Sequence, residues 1–408
     1  MLRNIAGMPT FALDFHMLFK CFAWARDTPT GIAHVNAFRS ELIDMLNMVP
    51  MLATDPSGSC LYPDPVIECF VANLLSLIPF TYPEIGLTIV PVPIKIDGVW
   101  TCVRYRITER LDLTPSWFST PLPAYGLISE WAHEGAPPIL IFTPTPMPAG
   151  DGFAVGLLSD SMPFCSPGVF PVWSGEREIV DWLTRNPGAH LMGLSLGGAQ
   201  ALRVYKKYGR QFDIARVQAL NPPGFYPKIT VKTILLTLSL FALIGTLAWV
   251  YLIKGVYHPL FPVANIACSA SLILASFLIK EPSLPPIKGR VDIYSQEGDP
   301  VSTMGYFPEG DNVHFYHLFT GKEGRAEGPF SAHAKVYSGH KYMTMLETST
   351  EYENRRVSRH VMTAAHALLG PVLVFAPTLA IHTATKLLGC LFKLLQLPFT
   401  KCSGPPKS

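Results

Sequence analysis

The run Gly193-Leu194-Ser195-Leu196-Gly197 limits this chain more than any other, because of what flanks it. Before it lies an apolar strand-like segment, 189–192. After it, apolar residues recur with helical spacing from Leu196 through Ala199, Ala201, Leu202 and Tyr205 to Tyr208. A strand that turns straight into a helix around a serine bends so sharply that side chains two positions to either side would strike the neighbouring strand and helix. Glycine fills both positions. Such a bend makes sense only at the end of a sheet covered by helices, so an α/β architecture with the serine at the strand-to-helix turn is the first expectation.

The rest of the chain reads as a mixed sheet. Residues 87–96 and 99–107 are β-branched runs joined by Asp97-Gly98, the pair a tight type I′ turn prefers, and predict an antiparallel hairpin. A short apolar run at 138–142 predicts a buried strand, 176–184 a helix, and 215–220, 291–294 and 313–319 three further strands. Strands alternating with helices predict a mixed, mostly parallel sheet with helices on both faces. Residues 66–78 have the apolar density of a core helix and carry no chemistry of their own.

Two uncharged stretches interrupt this pattern, 233–253 and 259–279, separated only by Lys254-Gly255-Val256-Tyr257-His258. Each is long enough to cross a hydrocarbon core of about 30 Å at about 1.5 Å per residue, so together they predict a membrane hairpin. Both flanking strands must enter one sheet, which requires an even number of crossings. Lys228, Lys232, Lys280, Lys288 and Arg290 surround the open end while Lys254 alone marks the tip, which puts the open end and the sheet on a cytoplasmic side. A hydrophobic content of 49% against 15% charged residues fits a multi-pass membrane protein. A third apolar stretch, 361–385, reads either as a segment in or on the membrane surface or as a terminal helix packed on the domain.

The expected organisation is therefore an N-terminal helical region (1–86), a core in two parts (87–228 and 285–350), the hairpin (229–284) and apolar to amphipathic C-terminal helices (351–408). Asp14, His16 and Lys20 break what would be the apolar core of a cleavable signal peptide. Eight scattered cysteines without CxxC or Cys/His spacing point to neither a zinc site nor a disulfide framework. A formal net charge of +2 without a long basic run gives no sign of nucleic-acid binding.

A serine hydroxyl is a poor nucleophile until a histidine takes its proton and a carboxylate orients that histidine. Asp299 lies in Gly298-Asp299-Pro300, just past the 291–294 strand, and is the expected acid, with Glu297 as the spare. His314 and His317 fall inside a strand pattern. His333, in the loop after that strand, is the expected base, with His340 as the alternative. Acyl chemistry also needs two amides for the developing oxyanion. Leu196 supplies one, and Thr143 or Thr145 the other, because Pro144 and Pro146 have no amide hydrogen. No cofactor and no metal enter such chemistry.

Four segments carry a family resemblance. Glu178-Ile179-Val180-Asp181-Trp182-Leu183, followed by Leu191-Met192-Gly193-Leu194-Ser195-Leu196-Gly197-Gly198-Ala199-Gln200-Ala201-Leu202, resembles the class 3 lipase group of α/β-hydrolases. Gly298-Asp299-Pro300-Val301 is similar to the acid loop of that family, and Phe142-Thr143-Pro144-Thr145 stands where it has a Phe-Arg-Gly-Thr type oxyanion turn, which implies Thr145 for the oxyanion position. Leu194 replaces the usual histidine, and a proline replaces the oxyanion glycine. The pair of apolar segments resembles the bilobed segment of inclusion-membrane proteins of intracellular bacteria. The first resemblance implies a lipase or esterase acting on lipid or other ester substrates through Ser195 with Asp299; the hairpin adds the membrane anchor, and the position of His333 after the last strand makes it the expected base. The alternative is an inactive hydrolase-fold membrane protein serving as an interaction module or secreted effector.

Overall fold

The structure is a computed structural model. It describes residues 29–53, 62–114, 122–131, 136–145, 175–225, 288–319 and 344–370, together with Ser239, Ala267, Ala270, Ser271, His333, Thr383 and Leu387. The expected membrane hairpin falls almost wholly outside these residues, as does most of 361–385.

Among the described residues, nine strands form one sheet whose spatial order is the order in the chain. The first three pairings are antiparallel: β1 (Ile89–Ile96) with β2 (Val99–Asp112), β2 with β3 (Pro123–Ser129), and β3 with β4 (Ile139–Phe142). The β1–β2 turn is the expected Asp97-Gly98, with φ of 50° and 84°, the left-handed geometry a type I′ turn demands. From β4 the sheet turns parallel through β5 (Ala189–Leu194), β6 (Ile214–Leu220), β7 (Arg290–Gln296) and β8 (Val313–Phe319), and β9 (Thr344–Ser349) closes it antiparallel. Four of the eight pairings are parallel, so the sheet is mixed in equal parts rather than mostly parallel. Its parallel half is the centre, where both faces are covered; its antiparallel half forms the edges. β6 and β7, which bracket the hairpin stretch, are direct neighbours.

The linear strand order explains the N-terminal region. Strands laid down one beside the next through right-handed crossovers put every crossover helix on the same face. Accordingly α3 (Glu176–Arg185), between β4 and β5, and α4 (Leu196–Tyr208), between β5 and β6, share one face, where Trp182, Leu202, Tyr205, Val217, Ile293 and Phe315 form a core. The opposite face would lie bare. It is covered by α1 (Pro29–Ala53), which lies against β1 and β2, and by α2 (Asp64–Ser76), which lies against β5 and β6; Phe38, Leu42, Leu46, Leu74 and Leu75 share one core with Met192, Leu194 and Tyr294.

An ion network pins α2 to the sheet beside this apolar contact. Arg216 on β6 donates through Nη1 and Nη2 to both oxygens of Glu68, at 2.9 and 2.6 Å, and through Nε to Asp292 on β7 at 2.7 Å. Arg290 holds the other Asp292 oxygen at 2.8 Å. The stretch Asp64–Thr81 is long and apolar enough to cross a membrane, but 72% of it is buried in this core. Two helices, α5 (Thr350–Asn354) and α6 (Val357–Gly370), follow β9.

Candidate active site

Ser195, Asp299 and His333, which follow β5, β7 and β8 in the chain, bring their side chains together at the carboxyl end of the parallel strands. The serine stands between β5 and α4 with φ 55° and ψ −122°, a conformation that costs a non-glycine residue on the order of 1–3 kcal/mol. The surrounding backbone holds it there: its amide donates to the carbonyl of Leu220 at the end of β6, at 2.8 Å. A Cβ on Gly193 would overlap the backbone of Gly197, and one on Gly197 would overlap the carbonyl of Phe142 at the end of β4. Both glycines of the sequence motif are thus required by close backbone approach rather than by positive φ. Ser195 occupies the N-cap of α4 yet makes no side-chain cap bond. Its hydroxyl faces His333 instead.

His333 Nε2 lies 2.8 Å from Ser195 Oγ, and His333 Nδ1 lies 3.1 Å from Asp299 Oδ1. The Asp299 side chain is fully buried and that of His333 keeps 21% of its surface. Gly298, at φ 86°, turns the chain so that Asp299 points back over the end of β7. Its carboxylate accepts the amides of Val301 at 2.8 Å and Ser302 at 3.3 Å, both in the 3-10 turn Val301–Thr303. Those amide contacts leave Oδ1 fixed in direction, and an imidazole that donates from Nδ1 to it presents Nε2 as an acceptor for the serine proton.

The other sequence-predicted residues fall as follows. Leu196 is the first residue of α4, so its amide has no partner inside the helix and lies at the positive end of the helix dipole. The Phe142–Thr143 backbone abuts the first turn of α4 at Gly197, which brings the loop after β4 against this amide. The Thr143 hydroxyl donates to the carbonyl of Pro123 at 2.6 Å, which leaves the main-chain N–H as that residue's donor for an anion. Thr145 is half-buried at the end of the described loop. His314 and His317 lie on β8, as expected, engaged by Glu347 at 2.5 Å and by Glu353 at 2.7 Å. The Glu297 amide donates to Leu318 at 2.9 Å, and among the described residues the carboxylate bonded to His333 belongs to Asp299. His340 lies outside the described residues.

Asn221, the first residue after β6, belongs to the site and is not anticipated by the motif. It is fully buried with φ 43°. Its Nδ2 donates to the carbonyl of His333 at 3.1 Å and its Oδ1 accepts the amide of Gln296 at 2.9 Å. The sequence signal lies in Asn221-Pro222-Pro223-Gly224: asparagine tolerates a left-handed backbone at a strand end, and the prolines cannot extend the strand.

No group of three or more His, Cys, Asp or Glu side chains among the described residues is arranged to hold a metal ion. No family model, curated protein or solved structure matches the chain.

Proposed function

We propose that this protein is a serine hydrolase of the lipase or esterase type, an α/β-hydrolase anchored to a membrane by the 233–279 hairpin, that cleaves carboxylic esters through an acyl-enzyme on Ser195. The observation that carries the reading is the continuous hydrogen-bonded row from Ser195 Oγ through both nitrogens of His333 to a buried carboxylate of Asp299. Rows of this kind recur among enzymes whose serine attacks a carbonyl, on folds of unrelated ancestry.

Ser195 Oγ attacks the ester carbonyl while His333 Nε2 takes its proton. Asp299 holds the ring and stabilises the imidazolium. The Leu196 amide, aided by a main-chain donor from Thr143 or Thr145, stabilises the oxyanion. Collapse expels the alcohol with the proton from His333, and water then repeats the sequence to release the acid. The chemistry needs no cofactor. A bilayer anchor with the catalytic sheet on the cytoplasmic side raises the local concentration of lipid esters.

The purified full chain in detergent is expected to hydrolyse short p-nitrophenyl esters, and Ser195→Ala to abolish the activity. A wild type no faster than the mutant would end this reading. The proline-rich loop after β4 favours one rival, an inactive scaffold acting as an interaction module. A fluorophosphonate probe separates the two, since only an activated hydroxyl is labelled at Ser195.

A further inference from the structure

The acid loop is gripped from behind by a second buried cluster. While the amides of Val301 and Ser302 face Asp299, the loop's carbonyls face α6. The carbonyls of Ser302 and Gly305 accept from Nη1 of Arg359 at 3.0 and 3.3 Å, and the Gly305 amide donates to Thr363 Oγ1 at 2.8 Å. Arg359 is only 3% exposed. Its Nε donates to the carbonyl of Glu353 at 3.0 Å, its Nη2 stands 3.6 Å from the Glu353 carboxylate, and its guanidinium lies 4.7 Å from the centre of the Phe307 ring. Glu353, itself buried, also meets His317 at 2.7 Å and Arg356 at 3.1 Å.

Taking a guanidinium out of water is costly, and a buried ion pair replaced as a whole by well-packed apolar side chains is often no less stable. What arginine adds is a planar fork of donors that holds several acceptors in fixed directions. Here those acceptors bracket the turn that orients Asp299. From Arg359 to the Ser302 carbonyl, from the Ser302 amide to Asp299, and from Asp299 to His333 and Ser195, each step is a direct hydrogen bond.

We infer that Arg359, together with Thr363, is a positioning residue that fixes the acid loop and through it the geometry of Asp299, His333 and Ser195. The inference rests on the ester-hydrolase reading of the site. Loosening the loop moves a carboxylate that never touches substrate, so turnover suffers and substrate binding does not.

The test uses the full chain in detergent with Arg359→Lys, Thr363→Val and each combined with Asp299→Asn. Arg359→Lys is expected to lower kcat about 10- to 100-fold, with KM within about twofold of wild type, and to slow fluorophosphonate labelling of Ser195 in proportion. In the Asp299→Asn background it should slow labelling by less than about twofold, because the group being positioned is no longer effective. A purely structural role would lower Tm but leave the folded fraction's kcat unchanged, or reduce labelling by equal factors in both backgrounds; either result overturns the inference. If Arg359→Lys does not fold, Thr363→Val decides, with a fall in kcat of about 3- to 10-fold expected and full kcat overturning the inference. A wild type inert to both ester and probe overturns the site reading itself, whereas an active wild type with insensitive variants overturns only the role of Arg359 and Thr363.

Discussion

Asn221 carries the backbone of His333: its Nδ2 donates to the His333 carbonyl at 3.1 Å, while its own amide is anchored to the Tyr294 carbonyl of β7 at 2.7 Å. His333, the base of the proposed chemistry, is thereby tied to the central sheet that also carries Ser195 and Asp299. Asn221→Asp retains the left-handed conformation and the acceptor for Gln296, but sets a carboxylate oxygen against the His333 carbonyl. The expected result is a roughly 10- to 100-fold loss of kcat with a smaller change in KM, measured with p-nitrophenyl esters, and a stability loss of about 1–3 kcal/mol in urea for the unsatisfied buried groups.

The two glycines of the motif should be intolerant for a reason other than backbone freedom. At Gly197 a methyl group would overlap the Phe142 carbonyl, so Gly197→Ala must part β4 from α4. That is expected to cost more than about 3 kcal/mol or to prevent folding, read by soluble yield and urea unfolding. Gly86 offers the contrast, with φ 78° and no atom within 4 Å of the place a methyl would occupy: Gly86→Ala should cost about 1–2 kcal/mol of backbone strain and nothing from overlap.

Features written in local chemistry are legible in the sequence alone. The Asp97-Gly98 turn, the short apolar runs that form β4 to β7, and the Gly-x-Ser-x-Gly bend each depend on neighbours within a few residues. Two strands are not legible. β3 is buried along most of its length, so it shows no alternation, and its Gly126 lies beneath the Trp182 indole, a contact that no local pattern announces. β9, Thr-Met-Leu-Glu-Thr-Ser, owes its existence to pairing with β8 at the sheet edge. The covering of one sheet face by α1 and α2 follows from strand order, which composition does not reveal. The Asn221-Pro222-Pro223-Gly224 run marks a turn, but its link to His333, like those of Arg359 to Ser302 and Gly305, joins residues far apart in sequence, so only the assembled fold exposes these roles.

The Arg216 network should behave as a buried ion cluster. Asp292 has no exposed side-chain surface, and Arg216 is its link to Glu68 on α2. Arg216→Met leaves Asp292 to Arg290 alone and takes the guanidinium away from Glu68, with an expected loss of about 3 kcal/mol in urea unfolding. Adding Asp292→Asn and Glu68→Gln to Arg216→Met should recover part of that loss, since the carboxylates that lost the guanidinium are then neutral. A triple variant no more stable than the single one would show that the cost lies in lost packing instead.

His190 gives the fold an acid-sensitive point beside that network. It stands opposite Arg216 in the β5–β6 register, and burial, reinforced by the Arg216 guanidinium, pushes its imidazole down from 6.5 to about 3. In the unfolded chain the ring regains an ordinary value, so between about pH 6.5 and pH 3 the unfolded state binds the proton that the folded state refuses. Its contribution is therefore unchanged above pH 6.5 and is lost progressively as pH falls through that window, with a slope approaching about 1.4 kcal/mol per pH unit. His190→Gln removes the titration and should flatten the fall in urea stability between pH 6.5 and about pH 4 relative to wild type, even if it is less stable at about pH 7. Parallel stability curves for the two proteins across that range would mean that other groups govern the acid limb.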